Sequence, residues 1–242
     1  MAGREAGEDG SSAAQWSWVR SIAAREGGAG ASTAERVADV LRAGITEGHL
    51  PPGSRLSEQQ ISAVLGVSRN TLREAFRLLG HEGLLVHRLH AGVVVPDLDE
   101  AAVMDLYRLR LVLEVQAVLG VTRVDEGDVE RRRRDLADAE SAAAEGRWTD
   151  VGTANLSFHQ HLVAMARSPR TDAVARRLLA ELRLAFHMAG EKDLYEKFLP
   201  RNHELVALLE EGDTAKAAVE LERYLQDSRA ELIEAYRRHR AT

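Results

Sequence analysis

The chain has no cysteine, which excludes disulfides and thiolate metal sites and makes an intracellular location the natural expectation. Aromatic residues are only 5% of its 242 positions. The apolar 45% is mostly Leu, Ala and Val, and Leu and Ala suit packed helices better than strands. No apolar run approaches the roughly 20 residues that span a bilayer. The first ten residues, MAGREAGEDG, carry charges where a signal peptide needs an apolar stretch. A cytoplasmic protein without a membrane partner is therefore expected. Positive charge is also scarce, with a net charge of −6. The shortfall is uneven. Residues 33–96 hold 7 Arg, 6 acids and 4 His, whereas residues 97–242 hold 22 basic and 28 acidic residues. Any polyanion bound by the first part is bound salt-sensitively and gains from two copies.

What is present is a helix–turn–helix pattern from Leu56 to Leu79, LSEQQISAVLGVSRNTLREAFRLL. Ser57 is a good N-cap with Gln60 three residues on, and Ile61, Val64 and Leu65 share one face. Gly66 suits a sharp C-terminal turn, since a Cβ would resist it. Ser68 caps the next helix, with Leu72, Ala75, Phe76 and Leu79 as its inward stripe. Arg69, Asn70, Thr71 and Arg73 then point outward from its first turns. Guanidinium, amide and hydroxyl groups there can read base edges and hold phosphates.

Around this stretch, residues 1–31 read as a disordered tail rich in Gly, Ala and Ser, with a transient helix over 15–25 as the alternative. Ser32 and Glu35 make a capping box for a helix with Val37, Val40, Leu41 and Ile45 on its inner face. Runs at 84–89 and 93–95 flank His90-Ala91-Gly92 and predict a β-hairpin, so 32–96 reads as a winged helix-turn-helix domain. From 97 to 242 the pattern is helical throughout. Stripes such as Leu106, Leu109, Leu113 and Ala117, breaks at Gly146 and Gly212, and Pro200 as a helix start predict an antiparallel bundle. The basic run Arg131–Arg134 is expected on a solvated face. The fold class is thus mainly α: a winged domain followed by an all-helical bundle.

The chain resembles the GntR family of bacterial transcription regulators, in the FadR-like branch with an FCD effector domain. The resemblance rests on Leu50–Gly53, Leu65–Arg69, Leu72–Ala75 and Glu82–Leu84, and more loosely on Leu109-Arg110, Leu113-Glu114, Phe158-His159, Ser168-Pro169, His203 and Gly212-Asp213. It implies a homodimer on a palindromic double-stranded DNA operator, controlled by a small effector, with dimerisation and effector binding assigned to 97–242. It implies DNA contacts from Ser68, Arg69, Asn70, Thr71 and Arg73, with Gln59 toward a phosphate and His90 to Gly92 near the minor groove. Arg73 has an alternative in an ion pair with Glu74 or Glu58.

In the second domain the resemblance implies a metal held by Asp and three His on inner faces. Here the Asp position is Asn155 and the last His position is Tyr224. Asn is a neutral, weaker ligand, and a phenol rarely ligates unless deprotonated. Asn155, His159 and His203 remain a candidate set for one divalent ion, zinc or nickel. The alternative is that His159 and His203 hydrogen-bond inside the pocket or meet the effector directly. Arg110 suits an effector carboxylate bidentately, or pairs with Glu114 at i+4. Two other function classes stay open: a helical-bundle metal hydrolase using Asn155, His159 and His203, and a protein-interaction module on a winged scaffold.

Overall fold

Serine caps start the helices where the sequence marks them. In the computed structural model, which describes residues 16–25 and 31–241, Ser32 and Glu35 form a closed capping box. Ser57 accepts the Gln60 N–H and Ser68 accepts the Thr71 N–H. Gly66 takes the left-handed conformation (φ +65°) that ends one helix and aims the next. The chain divides into two compact units, residues 1–96 and 97–242.

The first unit contains α1 (Ser17–Arg25), α2 (Thr33–Thr46), α3 (Glu58–Leu65), α4 (Arg69–His81), β1 (Val86–Arg88) and β2 (Gly92–Val94). Leu41, Ile45, Ile61, Leu72 and Leu79 are fully buried among these helices. β1 and β2 are antiparallel, with Val86 opposite Val94 and Arg88 opposite Gly92. The turn after Pro51-Pro52 lies along β2 as well, where the Leu56 N–H reaches the Val93 carbonyl at 2.9 Å. The hairpin tip turns through His90 at φ +64°.

The expected disordered tail needs correction within its described part. Residues 17–25 form α1, and Trp16, Val19 and Ile22 are buried against α2 and α3. The Trp16 indole donates to the Gln60 side-chain oxygen at 3.1 Å, and the Trp18 ring stacks on His49. Three apolar residues at helical spacing outweigh the local Gly and Ala bias once a groove receives them. Gly44 provides that groove, since a Cβ there would lie 2.3 Å from the Trp18 ring. We expect Gly44→Ala to displace α1 and cost about 1–3 kcal/mol, as overpacked sites do. Tryptophan fluorescence and thermal melts of the variant check this. Residues 1–15 and 26–30 of the expected tail lie outside the described residues.

The second unit contains α5 (Glu100–Arg110), a π-helical turn (Leu111–Val115) and α6 (Gln116–Leu119). These are followed by α7 (Glu126–Ala144), α8 (Trp148–Ala164), α9 (Pro169–Ala189), α10 (Glu191–Glu210) and α11 (Thr214–Ala241). Short connections make a bundle in which Tyr107 of α5 hydrogen-bonds Ser228 of α11 at 2.7 Å. Three expectations change here. Pro200 lies inside α10 rather than opening a helix. Leu109 is 40% exposed, because the inner face of the first helix holds Val103, Leu106, Tyr107, Arg110 and Glu114 instead. Arg132 is fully buried, donating to the His161 carbonyl and the Met165 sulfur. Four consecutive helical residues span most of a turn, so a run of four arginines cannot all face water.

Candidate functional site

The first candidate surface is the start of α4. Arg69 and Asn70 are exposed there, and Ser68 and Thr71 are joined by a 2.9 Å hydroxyl contact that holds the first turn closed. Gln59 is exposed near the start of α3. His90 is exposed at the wing tip and Gly92 begins β2. Of the two alternatives for Arg73, the unbound protein forms the ion pair: its Nε meets Glu58 at 3.0 Å, while 63% of the side chain stays exposed. The surface therefore offers Arg69 without rearrangement and Arg73 after exchange of Glu58 for a phosphate. Between α4 and the wing runs a groove of about 610 Å³ that Arg77, His81 and His87 also line, and these three were not singled out from the sequence.

The second candidate lies inside the helical unit. Arg110 and Glu114, 2% and 1% exposed, form an ion pair with Nε–Oε1 at 2.6 Å across the π-helical turn. His159 of α8 places Nδ1 2.7 Å from Glu114 and Nε2 3.2 Å from the Tyr224 hydroxyl of α11. A carboxylate only accepts, so Nδ1 carries the proton, and Nε2 accepts from Tyr224. Burial pushes the His159 ring below its usual basicity, helped by the nearby Arg110 charge and opposed by Glu114. Burial alone would raise the Glu114 carboxyl, but the charges and hydrogen bonds of Arg110 and His159 outweigh it and hold the group at about 2. Burial raises the Tyr224 hydroxyl, so it stays protonated.

These shifts fix a pH dependence. Glu114 and His159 both have folded values below their unfolded ones, so the unfolded chain binds protons more readily. Their contribution is complete above the ordinary histidine value of 6.5. It falls first as unfolded His159 protonates and then, below 4.5, as unfolded Glu114 does. Denaturant melts between pH 8 and pH 4 are expected to show stability declining with acidity. In Glu114→Gln the part below pH 4.5 is lost.

Beside this network is a cavity of about 20 Å³, room for roughly one water molecule. Arg110, Asn155, His159, Arg183 and Tyr195 give it a polar side, while Leu179 and Phe186 are among its apolar wall. Arg183 of α9, 1% exposed, donates to the Tyr195 hydroxyl at 2.5 Å and to the Thr149 carbonyl at 2.9 Å. Its guanidinium occupies space that only a glycine leaves: a Cβ on Gly152 would lie 2.3 Å from it. Arg183, Tyr195 and Gly152 are absent from the sequence-based set. A glycine inside α8 was the available signal, since a glycine within a helical pattern is a place for close packing.

His203 needs correction. It faces outward, 46% exposed, with Nε2 2.9 Å from Glu140. The inward residue is Asn202, 1% exposed, whose amide donates to the Asn155 oxygen at 2.8 Å. Phe198, Leu205 and Leu209 are buried on α10, and Asn202 completes their stripe. His203 lies about 100° around the helix from it. The set Asn155, His159 and His203 is therefore not assembled, as an effector site, a metal site or the centre of a hydrolase.

The residues that do converge, Asn155, His159, Asn202 and Tyr224, do not fit a divalent ion. Two are neutral amides, one is a protonated phenol, and the imidazole lone pair already accepts a hydrogen bond. The nearby carboxylate, Glu114, is neutralised by Arg110. Among the described residues no group of three or more His, Cys, Asp or Glu is placed to hold a metal.

Residues 33–95 match the family profile of the GntR bacterial regulatory proteins, and residues 105–227 match the FCD domain. A solved structure of a GntR regulator from Rhodococcus sp. RHA1 is 38% identical and covers 85% of this chain and 100% of its own, with a TM-score of 0.79. An uncharacterized HTH-type transcriptional regulator of Bacillus subtilis is 34% identical over 125 residues, 51% of this chain and 56% of that protein. A probable D-xylose utilization operon transcriptional repressor of Paenarthrobacter nicotinovorans is 28% identical over 182 residues, 75% and 80% of the two lengths. The chain thus spans little over half of the first of these two regulators and four-fifths of the second.

Proposed function

Because the chain belongs to the GntR family of bacterial regulatory proteins and carries an FCD domain, we propose that it is a transcription regulator that binds a palindromic operator as a homodimer and responds to a small acid held in its helical unit. The observation that carries the DNA reading is the serine-capped start of α4, which presents Arg69 and Asn70 to solvent without a competing fold role. Ser68, Thr71, Arg73 and Gln59 extend that surface, and His90 and Gly92 extend it at the wing. DNA as the partner places the protein in the cytoplasm. No helix among the described residues is long and apolar enough to cross a membrane.

The homodimer reading draws support from an apolar stripe. Leu109 of α5, Val112 of the π-helical turn and Leu119 of α6 are 40%, 60% and 47% exposed, at spacings of three and seven residues along this helical stretch. A second copy covering the same stripe gives the two-fold symmetry that a palindrome needs. Val112→Glu is expected to shift sedimentation toward monomer and to weaken operator binding; a dimer of unchanged stability removes this stripe as the interface.

The effector reading rests on the cavity beside Arg110, His159 and Arg183. Its present volume admits no acid, so an effector enters only when the walls on α8, α9 and α10 separate. That requirement gives the effector different affinities for two conformations, which any switch needs. The test of the whole reading is a mobility-shift assay on DNA upstream of the chain's own gene at two salt concentrations. Sequence-selective retardation that weakens with salt supports it, and retardation with no sequence preference defeats it.

A further inference from the structure

We infer that Leu89, at the tip of the wing, is an apolar minor-groove contact that selects A·T pairs, because the guanine 2-amino group of a G·C pair shuts it out. The inference rests on the DNA reading above. It deepens that reading by naming a residue that discriminates sequence at the wing, beside the polar His90 and the small Gly92.

Three observations carry it. The first is exposure. Leu84, Leu85, Val94 and Val95 of the same segment are buried, whereas Leu89 is 82% exposed, more than any other large hydrophobic side chain among the described residues. It adds almost nothing to the core. Nor does the turn call for it, since Gly, Asn, Asp and Ser suit tight turns better than leucine. One exposed leucine needs no explanation by itself; the setting of this one supplies it.

The second is charge. Residues 83–96 contain no Asp or Glu. His87, Arg88 and His90 flank Leu89, and all three are exposed. The groove that Arg73, Arg77, His81 and His87 line runs between α4 and this hairpin. Leu89 follows His87 by two residues, about 7 Å along an extended strand. An apolar tip among N–H donors, with no carboxylate on its segment, matches a cleft with phosphates along both edges and sugar and base edges within. The minor groove of DNA is such a cleft.

The third is bracing. The Ala91 N–H donates to the Arg88 carbonyl at 3.1 Å, so Leu89 and His90 are the central pair of a closed turn. Val86, His87 and Arg88 pair in register with Val94, Val93 and Gly92. On the other side of β2, the Val95 N–H reaches the Ser54 carbonyl at 3.0 Å and the Leu56 N–H reaches the Val93 carbonyl at 2.9 Å. The tip is therefore set before DNA arrives, and little ordering cost opposes its insertion.

The selectivity follows from the groove floor. An A·T pair presents only the adenine N3 and thymine O2 acceptors there, while G·C adds an amino donor. Leucine accepts no hydrogen bond, so covering that amino group leaves it buried and unpaired. Leucine is among the apolar side chains that proteins insert into this groove.

The test uses the full chain and duplexes that it selects from a random-sequence library, measured by fluorescence anisotropy at several salt concentrations. Each A·T pair of the selected sequence is replaced in turn by G·C and by inosine·C. Inosine lacks the 2-amino group, so these two pairs present the same major groove and differ in the minor one. At one or more positions G·C is expected to weaken binding and inosine·C to restore it. Leu89→Ala is expected to weaken the selected duplex about 10- to 100-fold for two copies. It should also erase the difference between G·C and inosine·C. Its salt slope and melting temperature should match the wild type, because an apolar contact releases no counterions and the side chain is outside the core.

Equal binding of G·C and inosine·C duplexes by the wild type overturns the inference and leaves the DNA reading standing. So does an unchanged affinity of Leu89→Ala, or a loss that comes with a shallower salt slope. Sedimentation of Leu89→Ala is expected to be that of the wild type, and a shift toward monomer assigns the tip to a protein contact instead. Failure to select any preferred sequence overturns both readings.

Discussion

Glu114→Ala lowers the stability of the helical unit by about 3–5 kcal/mol, the usual cost of breaking a buried ion pair from one side. The variant leaves the Arg110 guanidinium, 2% exposed, without its 2.6 Å partner. It also removes the group that orients His159. Neutral His159 would be free to turn, and Tyr224 would lose a fixed acceptor. A double variant, Arg110→Met with Glu114→Leu, should recover most of the loss, because apolar residues of similar volume carry no desolvation cost. Urea melts of the wild type, Arg110→Met, Glu114→Leu and their double variant close a double-mutant cycle. If the single alanine costs less than about 1 kcal/mol, a range typical of exposed pairs, the pair is not the buried brace described above.

The second large effect is on DNA. Arg69→Ala should weaken operator binding by about 1–3 kcal/mol per half-site, hence about 2–6 kcal/mol for a homodimer, roughly 30-fold to twenty-thousand-fold. The loss should fall mainly on the operator, narrowing the gap to random DNA. Arg73→Ala should behave differently. As a phosphate contact it weakens all sequences alike and reduces the salt slope by about 1 for each copy. Glu58→Gln should go the other way. Glu58 holds Arg73 in the unbound protein, so removing its charge frees the guanidinium and relieves repulsion of the phosphates. An exposed pair of this kind limits the gain to about fivefold. Fluorescence anisotropy with operator and scrambled duplexes at several salt concentrations measures all three. Equal losses on both duplexes for Arg69→Ala would remove it from base readout.

The helix starts were legible because capping is local. Ser32, Ser57 and Ser68 each act on the N–H three residues ahead, so the sequence alone marks them. The outward face of α4's start was legible as well, since the helix's apolar stripe leaves Arg69, Asn70 and Arg73 exposed. The inner site was harder because its key residues break the apolar pattern that reveals a core. Arg110, Glu114 and Arg183 are charged, and each is buried by a partner on another turn or another helix. Asn202 rather than His203 belongs to the inward face that Phe198, Leu205 and Leu209 define. The docking of α1 was not legible, because it depends on the Gly44 groove and the Gln60 side chain, both distant in sequence.

That docking bears on how regulators of this kind are recombined. The matched DNA-binding segment begins at residue 33, and a chimera built from sequence alone would be joined there. Such a joint discards Trp16 and Trp18 and leaves the surface around Gly44 bare and apolar on the transplanted part. A hybrid that is to keep this winged unit intact must carry the chain from before Trp16, and sensors assembled from exchanged modules should place their upstream joint there.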